Sequence, residues 1–263
     1  MLVSVRAAPR LGGFLLGGLV FVAALAMWEV WARTESFYFL PPVSEVIRRA
    51  WEVWPSADFL SAVAASLKRL AAGFVIGSAA AVAVGLTMGS SPRVRSTLGP
   101  TAEFLRALPV IAIVPIAIVL LGVGDAMRIA VIAFGVFFPV LVATVEGVRA
   151  VAPEIRDSAA LFRLSRVERS TRIYLPAALP TIFAGLRTAL SIGLVVVVIS
   201  EFTGEGDGLG VYIESQRALF NIPEVYVGIV FLGLLGYVLN RLFLVLERRV
   251  LAWHYGAVGE PAR

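Results

Sequence analysis

Apolar residues run along this chain in six long blocks, separated by shorter stretches where charge and proline collect. A hydrocarbon layer about 30 Å thick is crossed by about 20 apolar residues in a helix. Six segments meet or approach that length: 12–32, 70–88, 108–122, 127–148, 178–200 and 225–246. The third is short and holds Pro109 and Pro115, which predicts a kinked or tilted crossing whose freed carbonyls are served by neighbouring helices. The run Val195-Val-Val-Val-Ile199 would suit a buried strand. A lone strand leaves its backbone unpaired in lipid, so a helix is expected there as well. The pattern predicts an all-α polytopic membrane protein with about six transmembrane helices, a single domain over 1–263.

Composition agrees. The chain is 59% hydrophobic and 16% charged, with a mean hydropathy of +0.88, against about 25% charged residues in a soluble domain. It has no cysteine, which excludes disulfides and thiolate metal sites. Its single histidine, His254, stands in the C-terminal tail, and one histidine builds no metal cluster. The first 27 residues have the basic start and apolar run of a signal peptide. The run continues through Trp28 and Trp31 to Ala32, however, as expected of a retained first span with an interfacial aromatic belt.

Arginine counting sets an expected orientation. With the N-terminus inside, the loop 89–107 faces the cytoplasm with Arg93, Arg95 and Arg106. The loop 149–177 does so with Arg149, Arg156, Arg163, Arg166, Arg169 and Arg172, and the tail with Arg248 and Arg249. The opposite loop, 201–224, carries five acidic residues against Arg217 alone. The net charge of +5 therefore needs no nucleic acid to explain it. The outer segment 33–69 is mixed; Lys68 and Arg69 are expected to snorkel toward water from the mouth of the second span. In the same segment Ser44 is placed to cap a surface helix through Arg48, Arg49 and Trp51. Small residues recur four apart at Gly13/Gly17, Gly73/Gly77 and Ala81/Gly85. They suit close helix packing, although apolar spans are rich in glycine and alanine in any case.

The most polar interruption is Glu154–Pro176, a charged stretch between two apolar spans. Pro153 suits a first helical turn, with Glu154 and Asp157 near its positive end, and the helix should run to about Phe162. Ser165-Arg-Val-Glu168 has the form of a capping box that opens a second helix to about Tyr174. Leu175, preceding Pro176, is expected to leave helical geometry. A capped helix–turn–helix on the cytoplasmic side fits docking to a partner protein; arginines holding anionic lipid are the alternative.

The stretch resembles the coupling motif in permease subunits of bacterial binding-protein-dependent ABC importers: E-A-A, three residues, G, nine residues, I-x-L-P. Asp157, Ser158 and Ala159 stand at the E-A-A positions and Arg163 at the glycine, while Ile173, Leu175 and Pro176 match the end without a gap. Ser165, Glu168 and Arg172 fall inside the same element. The segments Leu40–Glu45, Ser66–Phe74, Phe137–Pro139, Leu175–Pro180 and Leu246–Arg249 extend the likeness over nearly the whole chain, toward the nitrate, sulfonate and taurine branch. The resemblance implies two permease subunits forming the pore and a dimer of ABC ATPases beneath them, holding ATP and magnesium and receiving the coupling loops. It also implies an extracytoplasmic binding protein that delivers solute, and a site in the bacterial cytoplasmic membrane with both termini inside. Arginine in place of the glycine is compatible with a non-identical permease pair whose other member carries the regular motif, or with a substitution tolerated in a homodimer.

Polar groups within spans mark candidate pathway positions: Ser191, Ser200, Glu201 and Thr203 around the fifth span, with Thr144, Glu146 and Glu29 elsewhere. Glu29, Glu146 and Glu201 lie near span edges, where a carboxylate reaches water. The glycine-rich loop 204–210 is expected to be a flexible outer gate or a contact for the binding protein. A self-sufficient secondary transporter or channel would need buried ionisable groups, which this reading does not find. A membrane enzyme would need a nucleophile–base pair or a metal cluster. The sole lysine, Lys68, follows Leu67 rather than the glycine of a Walker loop, so ATP hydrolysis is expected on a partner. The resemblance leaves sulfonates, nitrate, aromatic carboxylates and thiamine-precursor pyrimidines open as solutes.

Overall fold

A computed structural model describes residues 11–35, 38–203 and 206–253. The expectations for His254 and for Gly204 and Glu205 fall outside them. The described residues form helices joined by short turns: α1 (Leu11–Glu35), α2 (Val43–Val53), α3 (Ala57–Ser90), α4 (Pro92–Ala107), α5 (Val110–Leu121), α6 (Asp125–Arg149), α7 (Pro153–Leu161), α8 (Arg166–Arg169), α9 (Leu175–Glu201), α10 (Leu209–Ala218) and α11 (Ile222–Val250). Helices α1, α3, α6, α9 and α11 lie in five segments long and apolar enough to cross a membrane, the fourth running from Arg166 to Glu201.

The expected third span is a broken one. Helix α5 has only 12 residues and meets α4 at 98°, with Leu108 and Pro109 at the bend. The pairing of α3 with α6 shows what this broken pair does. Along α3 the positions Gly73, Gly77, Gly85 and Gly89 face Ile132, Ala133, Thr144 and Val148 of α6 in the same order, so the two helices run parallel. The chain must return from one end of the bundle to the other between them, and only α4 and α5 are available for that crossing. Among the described residues that makes six candidate crossings, with the bent α4–α5 pair counted as one.

Helices α3, α6 and α9 make the core. Ala81, Met127, Val131, Ile132, Val136 and Val197 are buried among them. The four-residue spacing of small residues is a packing seam on α3: a Cβ at Gly77 would lie 2.4 Å from the carbonyl oxygen of Ala133. That closeness lets the backbones touch and replaces the hydrophobic drive that lipid does not supply. Antiparallel α9 uses the same device, Gly185 against Ala143 and Gly147 against Ala178. In α1 the motif does no such work, since Gly17 has nothing within 4 Å.

Two local expectations are corrected. Ser44 caps nothing. It lies inside the first turn of α2, whose N-cap is Pro42. Its hydroxyl and amide donate to Glu29 of α1 at 2.7 and 3.0 Å, and Arg33 donates to its oxygen. Glu29 is thus a clamp between α1 and α2 rather than a lone interfacial carboxylate. Helix α2 packs Val46 and Ala50 on Val227 of α11 and leaves Trp51 and Ile47 exposed.

Candidate functional site

The stretch that resembles the coupling motif sits at the end of the bundle where α6 stops and α9 begins. The last carbonyls of α6 lack the regular donors of a continuing helix. Arg156 from α7 supplies donors to two of them, Val148 O at 3.0 Å and Arg149 O at 2.7 Å, where the negative end of the α6 dipole favours a cation. Counting arginines for orientation had hidden this role. Val151, Tyr174, Ala178 and Ile182 close a small apolar cluster beneath the loop, and Ala159, at a motif position, is buried. Asp157 and Ser158 face solvent; the Ser158 hydroxyl donates to its own helix at Glu154 O, 2.8 Å.

Arg163 has φ +53°. The Leu164 amide donates back to Ala159 O at 3.2 Å, so α7 ends in a left-handed cap closed by a six-to-one bond. The glycine position therefore keeps glycine geometry without glycine, at a cost of about 1 kcal/mol. Arg163→Gly should stabilise the protein by about that amount. A thermal melt showing no gain would contradict the strain.

The capping box is formed as the spacing predicts. The Glu168 amide donates to Ser165 Oγ at 3.2 Å, and the Ser165 amide to the Glu168 carboxylate at 2.9 Å. Leu175 does not leave the helix. Residues Ser170–Tyr174 form a π turn, and the Leu175 amide donates to Ser170 O, five residues back. Pro176 takes the first turn of α9. The wider turn makes room for a ring that would strain an α-helical ladder, so the chain from Arg166 to Glu201 is one rod broken only by this bulge. Arg172 is exposed on it. At the loop tip Leu161 and Phe162 are 83% and 79% exposed, with Val167 nearby at 71%. This apolar knob is flanked in sequence by Arg163 and Arg166.

The opposite end holds a polar cluster that corrects three expectations. Arg69 does not snorkel. It is 4% exposed and donates to Asp125 Oδ1 at 2.6 Å, Glu201 Oε1 at 2.9 Å, Asp207 O at 2.6 Å and the Asp207 carboxylate. Glu201 does not reach water. It is fully buried and lies 2.8 Å from the Ser66 hydroxyl, with the Gly210 amide donating at 2.9 Å. The segment 206–210 is not loose, because Arg69, Ser66 and Glu201 bind its backbone at Asp207, Leu209 and Gly210. Its glycines serve close approach: at Gly208, φ +132°, a Cβ would lie 2.4 Å from the Glu201 carboxyl carbon. The Arg69 guanidinium holds the Asp207 carboxyl below its ordinary range. Thr203 accepts from Arg128 at 3.3 Å, and Ser200 is buried with its hydroxyl on Val197 O. Of the four pathway candidates, only Ser191 is exposed. Thr144 is buried and bonded within its own helix. Glu146 lines a groove of about 480 Å³ with Arg106, Pro139, Thr181 and Thr188.

A bundle of apolar helices with a small-residue seam, a broken span and a structured polar loop between two core helices is that of a polytopic membrane protein. Residues 73–252 match the binding-protein-dependent transport system inner membrane component; the chain belongs to that family and is a permease subunit of an ABC importer, in the nitrate, sulfonate and taurine branch. It is 31% identical over 244 residues to a probable ABC transporter permease protein of Brucella melitensis, covering 93% of this chain and 99% of that one. It is 30% identical to the taurine transport system permease protein of Escherichia coli, over 88% and 86% of the two chains. Other relatives are named for aliphatic sulfonates, bicarbonate and nitrate. The fold is shared with the MetNI methionine ABC transporter in inward-facing form, at a TM-score of 0.63 and 15% identity over 73% of this chain and 95% of that one.

Proposed function

We propose that this subunit carries a small oxyanion or sulfonate inward, handed over by an extracytoplasmic binding protein and driven by ATP hydrolysed with magnesium on a separate ATPase dimer. The loop of residues 149–177 is the docking element, and the termini face the cytoplasm. The observation that carries the reading is the loop tip. Leu161 and Phe162 stand exposed at the end of a capped helix pair, with Arg163 and Arg166 close by in sequence. Such a knob fits an apolar groove with an acidic rim, as a partner of complementary charge would offer. Arg166 begins a helical rod that continues through the π turn to Glu201 at the far end. Motion at the docked tip is therefore delivered along α9 to the polar cluster.

The solute class is supported by the relatives named for taurine, sulfonates, bicarbonate and nitrate. A second permease chain completes the pore. Docking is tested by charge reversal in the assembled importer. Asp157→Lys and Arg172→Glu should each lower transport-coupled ATP hydrolysis several-fold and leave the thermal melt of the bundle unchanged, since both side chains are exposed. Full coupling in both variants would defeat the docking assignment.

A further inference from the structure

Between Arg172 and Glu201 the chain carries a single charge, Arg187. It stands twelve residues beyond Leu175 and fourteen before Glu201, the two ends of α9, which is about 18 and 21 Å along the axis. A cation at that depth is strongly disfavoured in hydrocarbon and normally faces a partner or water. Among the described residues Arg187 has no partner: its side chain is exposed, and it makes no hydrogen bond, ion pair or ring contact with them. Arg241, inside α11, is served locally by contrast. Its Nε donates to the Tyr237 hydroxyl at 3.0 Å, and its guanidinium lies 5.2 Å from that ring's centre.

The neighbours of Arg187 are polar. At about 100° per residue, Arg187 shares the uncovered side of α9 with Ala184, Thr188 and Ser191, and all four are exposed. The opposite side packs Gly185 on α6 and Gly193 on α3. Thr188 also lines the groove that holds Arg106 of α4 and Glu146 of α6. A guanidinium with hydroxyls one helical turn away is a suitable receiver for an oxyanion. Its paired N–H donors match two oxygens, and a hydroxyl can donate to a third.

We propose that Arg187, with Thr188 and Ser191 beside it, is an anion-attracting station on the translocation pathway. The proposal rests on the permease reading and adds the residue that would handle the solute's charge. Arg187→Lys would keep the attraction, and Arg187→Gln would abolish it.

The absence of cysteine makes the test direct, because one substitution puts one thiol on the chain. In membranes from cells making the complete importer, Arg187→Cys and Ser191→Cys are treated with an anionic sulfonatoethyl and a cationic trimethylammonioethyl methanethiosulfonate. Both thiols should be labelled from water. At Ser191→Cys the anionic-to-cationic rate ratio should fall about tenfold when Arg187→Gln is added, the size of effect expected for a unit charge one turn away, and Arg187→Lys should restore it. Thr188→Cys is the second reporter where Ser191→Cys fails to assemble. Thiols closed to both reagents would put Arg187 at a subunit contact or in lipid and overturn the proposal, as would a ratio that ignores Arg187. Failure of the permease reading looks different: the chain would then not co-purify with an ATPase, whatever its thiols do.

Discussion

Glu201→Ala is expected to destabilise the bundle by about 3–5 kcal/mol, the range for breaking a buried ion pair from one side. The carboxylate is fully buried, and its partners arrive from two other elements: Ser66 and Arg69 on α3 and Gly210 at the start of α10. Its removal leaves the Arg69 guanidinium, itself 4% exposed, with only Asp125 and Asp207, and both of those carboxylates are largely exposed. Arg69→Ala should cost a comparable amount by stranding Glu201. The double variant should cost less than the two singles summed, because the stranded charge is gone in both. Denaturant or thermal unfolding of the four proteins in detergent reads the cycle. Additive losses would mean that the two side chains do not act as a pair. Segment 206–210 should also become accessible to protease in Glu201→Ala, since three of the bonds that hold it converge on Glu201, Ser66 and Arg69.

Gly77→Val is expected to be at least as damaging to assembly, by about 3 kcal/mol or more, at the top of the range for overpacking a tight interface. The obstacle is backbone rather than side chain: a Cβ there meets Ala133 O at 2.4 Å and Ala133 Cα at 2.9 Å. Neither can move without separating α3 from α6. Gly193→Ala is the informative comparison, because its Cβ would meet only side-chain ends, Leu70 Cδ1 at 3.0 Å and Val136 Cγ2 at 3.3 Å. It should cost clearly less. Equal yields and melting temperatures for Gly77→Val and the parent protein would show that the seam is not where the helices are held.

Much of this protein was legible before any coordinates, for physical reasons particular to lipid. Every backbone group inside a bilayer must be paired within its own segment, so block length alone announced the helices. The capped helix pair of residues 153–174 was equally legible. Pro153 fits a first helical turn by its fixed backbone angle, and Ser165 and Glu168 bond each other three positions apart, so both signals are written in spacing.

Long-range pairing was not legible. Arg69 was read as snorkelling and Glu201 as interfacial, because each lies near a span end and nothing in the chain says that residues 132 positions apart will meet. The glycines of 206–210 suggested looseness for the same reason; their use, letting a backbone cross over a carboxylate, exists only once α9 and α10 are folded back on each other. Leu175 before Pro176 was read as a helix break, since the sequence signals a strained ladder without saying that a π turn will absorb it. Arg187 was missed although its signal was present: it is the lone charge in a run of apolar and small residues, visible to any scan of each span for charge. What the sequence determined by itself was the long apolar helices and the capped loop, consequences of local pairing and of a solvent that accepts no bare backbone; α4 and α10 lie in stretches it marks only as loops. Only the tertiary structure decided which charges are buried together, which small residues are seams and which face of α9 stays uncovered, because those depend on contacts between segments that the chain order leaves far apart.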